Sequence, residues 1–375
     1  MENGCVMMFG IYVGVVGLVI FQFVFILLQL KFFWKDHRKR LFSELPSVSV
    51  LVAARNEEVD LPDLLRSFER VDYPEDRIQF LFADDQSTDQ TAEILKVWCA
   101  KSPNRIFLTI DSSQFRQYNK NGKANALAIL GEKATGDYYF FTDADCEVSP
   151  NWIREGIGAF VGSIGLVIGI TQVKATNLLE KFQEIDWWLT LGFVKVATDL
   201  GLHTTGLGNN MVISKVAYVQ SEGFKQLPDC LTEDLEISRA IQREGFSIAH
   251  QASPDMLART KPETSFSALL NQRKRWMSGV MTLPFYWKLI LGFQVAYFLG
   301  LIGLLIVSPA FGLVLGIIKI LLQAIFLMGF ANKVRVKISW LSLLVFDFYN
   351  FNTTVLTILY YFWPSNTKWK SRIYP

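Results

Sequence analysis

The chain has 375 residues, 51% of them apolar and 19% charged, with a formal net charge of +2. That length suits one large domain or two ordinary ones, and the apolar share exceeds that of a typical soluble protein. So small a net charge leaves no nucleic-acid footprint, and Cys5, Cys99, Cys146 and Cys230 lack CxxC or metal spacing, which excludes a disulfide framework.

The first element is the uncharged run 9–30, long enough to cross a hydrocarbon core of about 30 Å. Basic residues follow it instead of preceding it, and no small-residue cleavage site closes it, so it reads as a retained anchor and not a signal peptide. The flank "KFFWKDHRKR" (31–40) is strongly basic, which by the positive-inside rule sets the next segment in the cytoplasm. Residues 1–45 are thus expected to anchor the protein in an inner or plasma membrane.

Residues 46–283 change character. Short apolar runs at 47–54, 78–83, 105–110 and 138–142 alternate with helical periods at 57–70, 88–100 and 122–134. That alternation predicts βαβ units and a mostly parallel sheet, an α/β domain. Ser87 with Gln90 predicts a capping box, and Ser149 with Pro150 a second helix start. Asp84 and Asp85 follow the second strand, Asp143 and Asp145 the fourth, where ligands sit in open parallel sheets. Residues two apart on an extended chain point the same way, so Asp143 and Asp145 suit one hard cation, Mg2+ or Mn2+. Acids at a loop tip also serve simply to meet water.

Lys123 falls in the first turn of a helix, against the macrodipole, which suggests a nearby anion; a plain exposed lysine is the alternative. In "GLGNN", Gly206 and Gly208 allow close backbone approach and Asn209 and Asn210 offer amides to sugar hydroxyls, or the segment is a turn before the strand "MVIS". His203 in the same segment carries no assignment. Glu233 and Asp234 follow Thr232 at a predicted helix start, where acids help any helix. Residues 182–200 are amphipathic, with Trp187 and Trp188 together. In "NQRKRWMSG", Gln272, Arg275 and Trp276 share one helical face, which also reads as an interfacial helix partly embedding Phe266, Leu269, Arg273 and Trp276.

From 284 to 375 apolar segments return at 289–308 and 310–331, with a third at 338–363 interrupted by Asp347, Asn350 and Asn352. Polar residues at membrane depth need protein or water beside them, so this piece is expected to be broken or re-entrant, leaving two to three crossings. Three crossings put "KWKSR" (368–372) outside, against the positive-inside rule; a re-entrant piece keeps it inside.

The ordered string "VAARNEE", "ADDQSTDQT", "GKANAL", "TDAD", "GLGNN", "TED", "QRKRW" resembles membrane-bound family 2 glycosyltransferases, among them cellulose, hyaluronan and poly-N-acetylglucosamine synthases and ceramide glucosyltransferases. The resemblance spans roughly residues 47–280. It implies a GT-A fold, Rossmann-like, between N- and C-terminal transmembrane helices, and inverting transfer from a nucleotide diphosphate donor, a UDP-sugar. It implies that Asn56, Glu57, Asp84, Asp85 and Lys123 contact the nucleotide and that Asp143 and Asp145 hold a divalent metal on its diphosphate. Asp234 would be the general base; Gln272, Arg275 and Trp276 would hold donor and acceptor end; Asn209, Asn210 and Glu233 would wall the sugar. Ala54 and Arg55 stand where a Pro-aromatic pair often precedes Asn-Glu.

Three functions are compatible with this pattern: sugar transfer to a membrane lipid or lipid-linked saccharide, processive polysaccharide synthesis, and a non-catalytic nucleotide-sugar-binding subunit. The filled acidic positions favour an enzyme over the binder. Few membrane segments favour a lipid or lipid-linked acceptor over a polymer channel, unless a partner subunit or oligomer adds helices.

Overall fold

The computed structural model describes residues 2–37, 42–202, 205–370 and 372–374. His203 and the basic residues Arg38, Lys39 and Arg40 lie outside them. After a long helix α1 (Glu2–Phe32), the chain alternates β1 (Val48–Ala54), α2 (Leu61–Phe68), β2 (Ile78–Asp84), α3 (Thr91–Cys99), β3 (Arg105–Thr109), α4 (Gly122–Lys133) and β4 (Tyr138–Thr142). A short β5 (Cys146–Glu147), α5 (Trp152–Gly158), β6 (Ile164–Ile168), β7 (Ile170–Val173) and the 22-residue α6 (Leu178–Asp199) follow. Then come β8 (Asn210–Ser214), α7 (Lys215–Gln220), α8 (Glu233–Arg243), β9 (Ser247–His250), β10 (Leu257–Thr260) and α9 (Phe266–Met281). The chain ends with α10 (Phe285–Val307), α11 (Pro309–Lys333), α12 (Trp340–Phe362) and a hairpin of β11 (Thr367–Trp369) and β12 (Arg372–Tyr374).

The main sheet has the order β3-β2-β1-β4-β8-β6-β9, with β1 to β4 parallel and β8 antiparallel to both neighbours. Strand residues alternate between two cores: Val48, Val50 and Val52 with Phe80, Phe82 and Phe140 on one face, Leu51, Leu81, Phe141 and Met211 on the other. A sheet buried on both faces needs that near-continuous apolar composition. A second sheet, β5-β10-β7, closes one side. Because β1 lies between β2 and β4, the chain reverses its direction of sheet growth there. The acids after β2 and after β4 are thereby brought to one crevice.

Two helix starts differ from expectation. The Ser87 hydroxyl accepts the Asn56 N–H at 3.0 Å instead of capping α3, which begins at Thr91. The helix after Ser149 begins at Trp152, with Asn151 at the cap position.

Among the described residues four helices, α1, α10, α11 and α12, are long and apolar enough to cross a bilayer. A third core joins α1, α6, α10, α11 and α12, with Trp188 of α6 edge-on to Phe330 of α11. The third apolar piece is unbroken: α12 runs through Asp347, whose carboxylate accepts from Lys319 Nζ at 2.7 and 2.8 Å and from Gln323 Nε2 at 2.9 Å. Both polar partners come from α11, read from sequence only as part of an apolar run. Each end of α12 meets the α/β part. Its start lines a groove with residues 172–176 and Arg259, while at its end Tyr360 donates to Asn271 Oδ1 at 3.0 Å. The helix therefore runs along the underside of that part instead of leading away from it.

Candidate functional site

The site is built around the first turn of α4. Asn121 caps it, its side-chain oxygen accepting from Lys123 N at 3.0 Å and Ala124 N at 3.4 Å. The same side chain donates to Cys230 O and to Glu233 Oε2, both at 3.1 Å, so the starts of α4 and α8 are tied together. Lys123 then reaches two carboxylates, Asp143 after β4 and Glu233 at 3.1 Å on α8. Burial opposes its charge, but Asp143 and Glu233 outweigh burial and raise the ammonium's pKa. The lysine at a helix N-terminus is thus explained by acids delivered from two other elements.

Asp234 sits beside this pair. Its Oδ2 accepts the Gly208 N–H at 3.2 Å. A Cβ on Gly206 would lie 2.6 Å from the Asp234 carbonyl oxygen, so the backbones approach only because glycine stands there. Burial, and then the Glu233 charge, push the Asp234 carboxyl up to about 6, while Lys123 and Arg275 pull the other way. A carboxyl tuned near neutrality in a crevice suits proton transfer.

Asp145 is likewise pushed up to about 6, by burial and then by Asp143 and Glu57. Two neighbouring carboxylates, held at a cost in mutual repulsion, fit a divalent cation that completes its shell with phosphate oxygens. Among the described residues no group of three or more His, Cys, Asp or Glu forms a complete protein cage for a metal.

The remaining acids are occupied by cations that the motifs had not marked. Glu57 meets Lys261 Nζ at 3.2 Å and pairs with Lys370. Asp85, nearly fully buried, is held by both guanidinium nitrogens of Arg372, one at 2.9 Å, and burial raises its carboxyl pKa. Arg55 donates to Gln86 O at 2.9 Å and to Lys370 O at 3.0 Å, so it braces the loop and the tail together. The C-terminal hairpin thus lies across the acids that follow β1 and β2. It is secured further by Lys274 of α9, which donates to Ser365 O at 2.7 Å. "KWKSR" had been informative only for membrane orientation, since nothing local in a short basic string says which carboxylates it meets. Lys261 carries no local signal either.

Other expected residues stand as follows. Asp84 Oδ2 accepts the Ser87 N–H at 3.2 Å, and Asn56, with φ of 51°, accepts the Thr88 N–H at 2.8 Å; both shape the loops. Asn209 Oδ1 accepts from Thr171 at 3.1 Å. Asn210 is a correction: it is wholly buried, donating to Ile170 O at 2.7 Å and Met256 O at 2.8 Å and accepting from Trp152 Nε1 at 2.9 Å. Its amide is spent joining β8 to the second sheet and does not face the crevice. On α9, Gln272 donates to Glu263 at 2.8 Å and Trp276 lies edge-on to Trp187 of α6, while the Arg275 charge faces Asp234.

Residues 13–375 match the profile of glycosyl transferase family 21. A beta-monoglucosyldiacylglycerol synthase of Nostoc sp. is 27% identical over 262 residues, 68% of this chain and 54% of its own. A poly-beta-1,6-N-acetyl-D-glucosamine synthase of Staphylococcus epidermidis is 26% identical over 239 residues, 63% of this chain and 55% of its own. The chain spans about half the length of these curated relatives. Among solved structures, a mannosyltransferase from Pyrobaculum calidifontis, in complex with GDP-Man and Mn2+, superposes with a TM-score of 0.59 at 16% identity, covering 96% of this chain and 99% of its own. That likeness shows the GT-A fold. On the profile match, which takes in nearly the whole chain, this protein belongs to glycosyl transferase family 21, related to the family 2 glycosyltransferases.

Proposed function

We propose that the protein transfers a sugar from a UDP-sugar to a membrane lipid or lipid-linked saccharide, with inversion and with a divalent metal. The observation that carries this reading is the convergence of Lys123, Asp143, Glu233 and Asp234 beside Asp145 at the sheet's switch point. Asp143 and Asp145 would hold Mg2+ or Mn2+, which when bound offsets charge on the donor diphosphate. Asp234 takes the proton of an acceptor hydroxyl as that oxygen bonds to the anomeric carbon. The bond from this carbon to the diphosphate oxygen breaks on the opposite face, and its electron pair leaves with UDP. Lys123 and Arg275 supply positive charge to the departing group. Helices α6 and α9 lie between this crevice and the membrane helices, which suits an acceptor arriving from the bilayer, with the catalytic part on the cytoplasmic side.

The test is nucleotide release by the full chain in lipid nanodiscs, with UDP-glucose, UDP-galactose, UDP-N-acetylglucosamine and GDP-mannose, with and without chelator. Release from one UDP-sugar, abolished by chelator, with label only in an organic-extractable lipid, is the expected result. Label in a long polymer would favour processive synthesis. No release from any donor would overturn the reading.

A further inference from the structure

A cavity of about 520 Å³ lies apart from the donor crevice, between the second sheet and the start of α12. It is lined by Gln172, Lys174, Lys181, Glu184, Arg259 and Lys337, among others. None of the acids assigned to nucleotide, metal or proton transfer is in its wall.

The charge balance of this wall is one-sided. Lys174 is committed, pairing with Glu147 and lying 3.6 Å from Asp63. The acid in the wall, Glu184, accepts from Gln172 Nε2 at 2.7 Å; burial raises its pKa, while the Lys181 charge pulls it down. Lys181 faces the charge of Glu184, whereas Arg259 and Lys337 form no ion pair among the described residues; all three cations are exposed. Three cations thus face a roomy hollow whose wall holds one acid, and Arg259 and Lys337 have no ion pair there among the described residues.

The hollow's position says what fills it. Lys337 and Ser339 belong to the link between α11, a helix long enough to span, and α12. Val334 and Val336 of the same link are buried in the core shared by the membrane helices. At the level of this link, Lys333 lies 5.2 Å over the ring of Trp34, just past the end of α1. Next to the lining residues in the chain, Leu178 is 57% exposed, Trp340 65% and Leu341 60%. Exposed cations close to the link between two long apolar helices form the arrangement by which a protein surface engages the anionic headgroup of a bilayer lipid.

We propose that the cavity lined by Lys181, Arg259 and Lys337 binds the phosphate-bearing headgroup of an anionic membrane lipid. The lipid docks beside the catalytic part and holds its underside against the leaflet. This site is independent of the donor and of the transfer reaction.

Native mass spectrometry of the detergent-solubilised full chain, titrated with phosphatidylglycerol and separately with phosphatidylcholine, tests it without any nucleotide. Phosphatidylglycerol should be retained in preference, and the double variant Arg259→Gln/Lys337→Gln should lose at least about fivefold of that affinity. Phosphatidylcholine binding should not change. A second double variant, Lys96→Gln/Lys133→Gln, removes two exposed charges elsewhere and should bind like the wild type; melting curves confirm that both variants fold. Equal retention of the two lipids, equal loss in both variants, or a site saturated by millimolar inorganic phosphate without preference for phosphatidylglycerol would each overturn the proposal.

Discussion

If Asp234 is the base, replacing it should remove catalysis and relieve the fold at the same time. Its carboxyl is raised from 3.8 to about 6, so ionising it in the folded protein costs at most about 3 kcal/mol more than in the unfolded chain. Because the carboxylate is not fully enclosed, solvent screening brings the realistic figure to about 1–2 kcal/mol. A raised carboxyl pKa lends stability below about 3.8 that is lost as pH rises through about 6. Asp234→Asn, which cannot ionise, should therefore melt a few degrees above the wild type at pH 7.5. The gain should fall to roughly half near pH 5 and vanish near pH 3.8. UDP affinity should stay within about twofold while transfer falls by about 10²–10⁴, and wild-type transfer should rise with pH through about 6. Melting curves at three pH values, calorimetry with UDP and a nucleotide-release assay give the whole set. Transfer at wild-type rate would remove Asp234 from its role; a gain in melting temperature that ignores pH would refute the electrostatic reasoning.

Asp145→Ala should lose the part of UDP affinity that depends on Mn2+, read by calorimetry with and without the ion; unchanged affinity would refute the metal assignment. Removing residues 366–375 frees Glu57 and Asp85 of Lys370 and Arg372 and should tighten UDP binding about three- to tenfold, since the donor no longer competes with the tail. Weaker binding would mean that the hairpin clamps the donor. Asn210→Ala strands two carbonyl groups and an indole N–H in the core, and should cost about 1–3 kcal/mol in stability with little change in donor KM. A cysteine at Ser365, next to Lys274 of α9, should react with a membrane-impermeant maleimide only from the side that holds the α/β part; labelling from the opposite face would show α12 to be a crossing helix.

What the sequence disclosed follows the range over which each signal acts. The four parallel strands and the acids at their ends are local patterns, and Val48–Ala54, Ile78–Asp84, Arg105–Thr109 and Tyr138–Thr142 fall where alternation places them. The position of Lys123 in a helix's first turn leaves a nearby anion and an exposed lysine both open, and the fold supplies Asp143 and Glu233 from elements that only tertiary structure brings together. Ser87 and Ser149 follow the pattern of caps, yet at Ser87 the hydroxyl is taken by a neighbouring loop. A capping motif states what a side chain can bond, and competition decides what it does bond. Asn210 failed for the opposite reason, because an amide that suits a sugar suits a buried sheet junction as well. Asp347 invited a broken helix because its partners, Lys319 and Gln323, stood inside a segment read as purely apolar.

The cations of the crevice differ in how they are held, and that difference bears on how a donor would enter. Lys123 is fixed by a capped helix and buried between carboxylates from two elements. Lys370 and Arg372 belong to a short two-stranded hairpin, which the bonds to Lys274, Arg55, Glu57 and Asp85 attach to the rest. An isolated two-stranded hairpin is marginal in water, so these bonds and its packing must supply its stability. A nucleotide whose base and ribose took over the hydrogen bonds of Glu57 and Asp85 would break both of those pairs and release the tail. The tail can leave in this way without unfolding the sheet beneath it, so its cations act as competitors of the donor and not as its ligands. The two cations offset the charges of Glu57 and Asp85, and it is those charges that removal of the tail would expose.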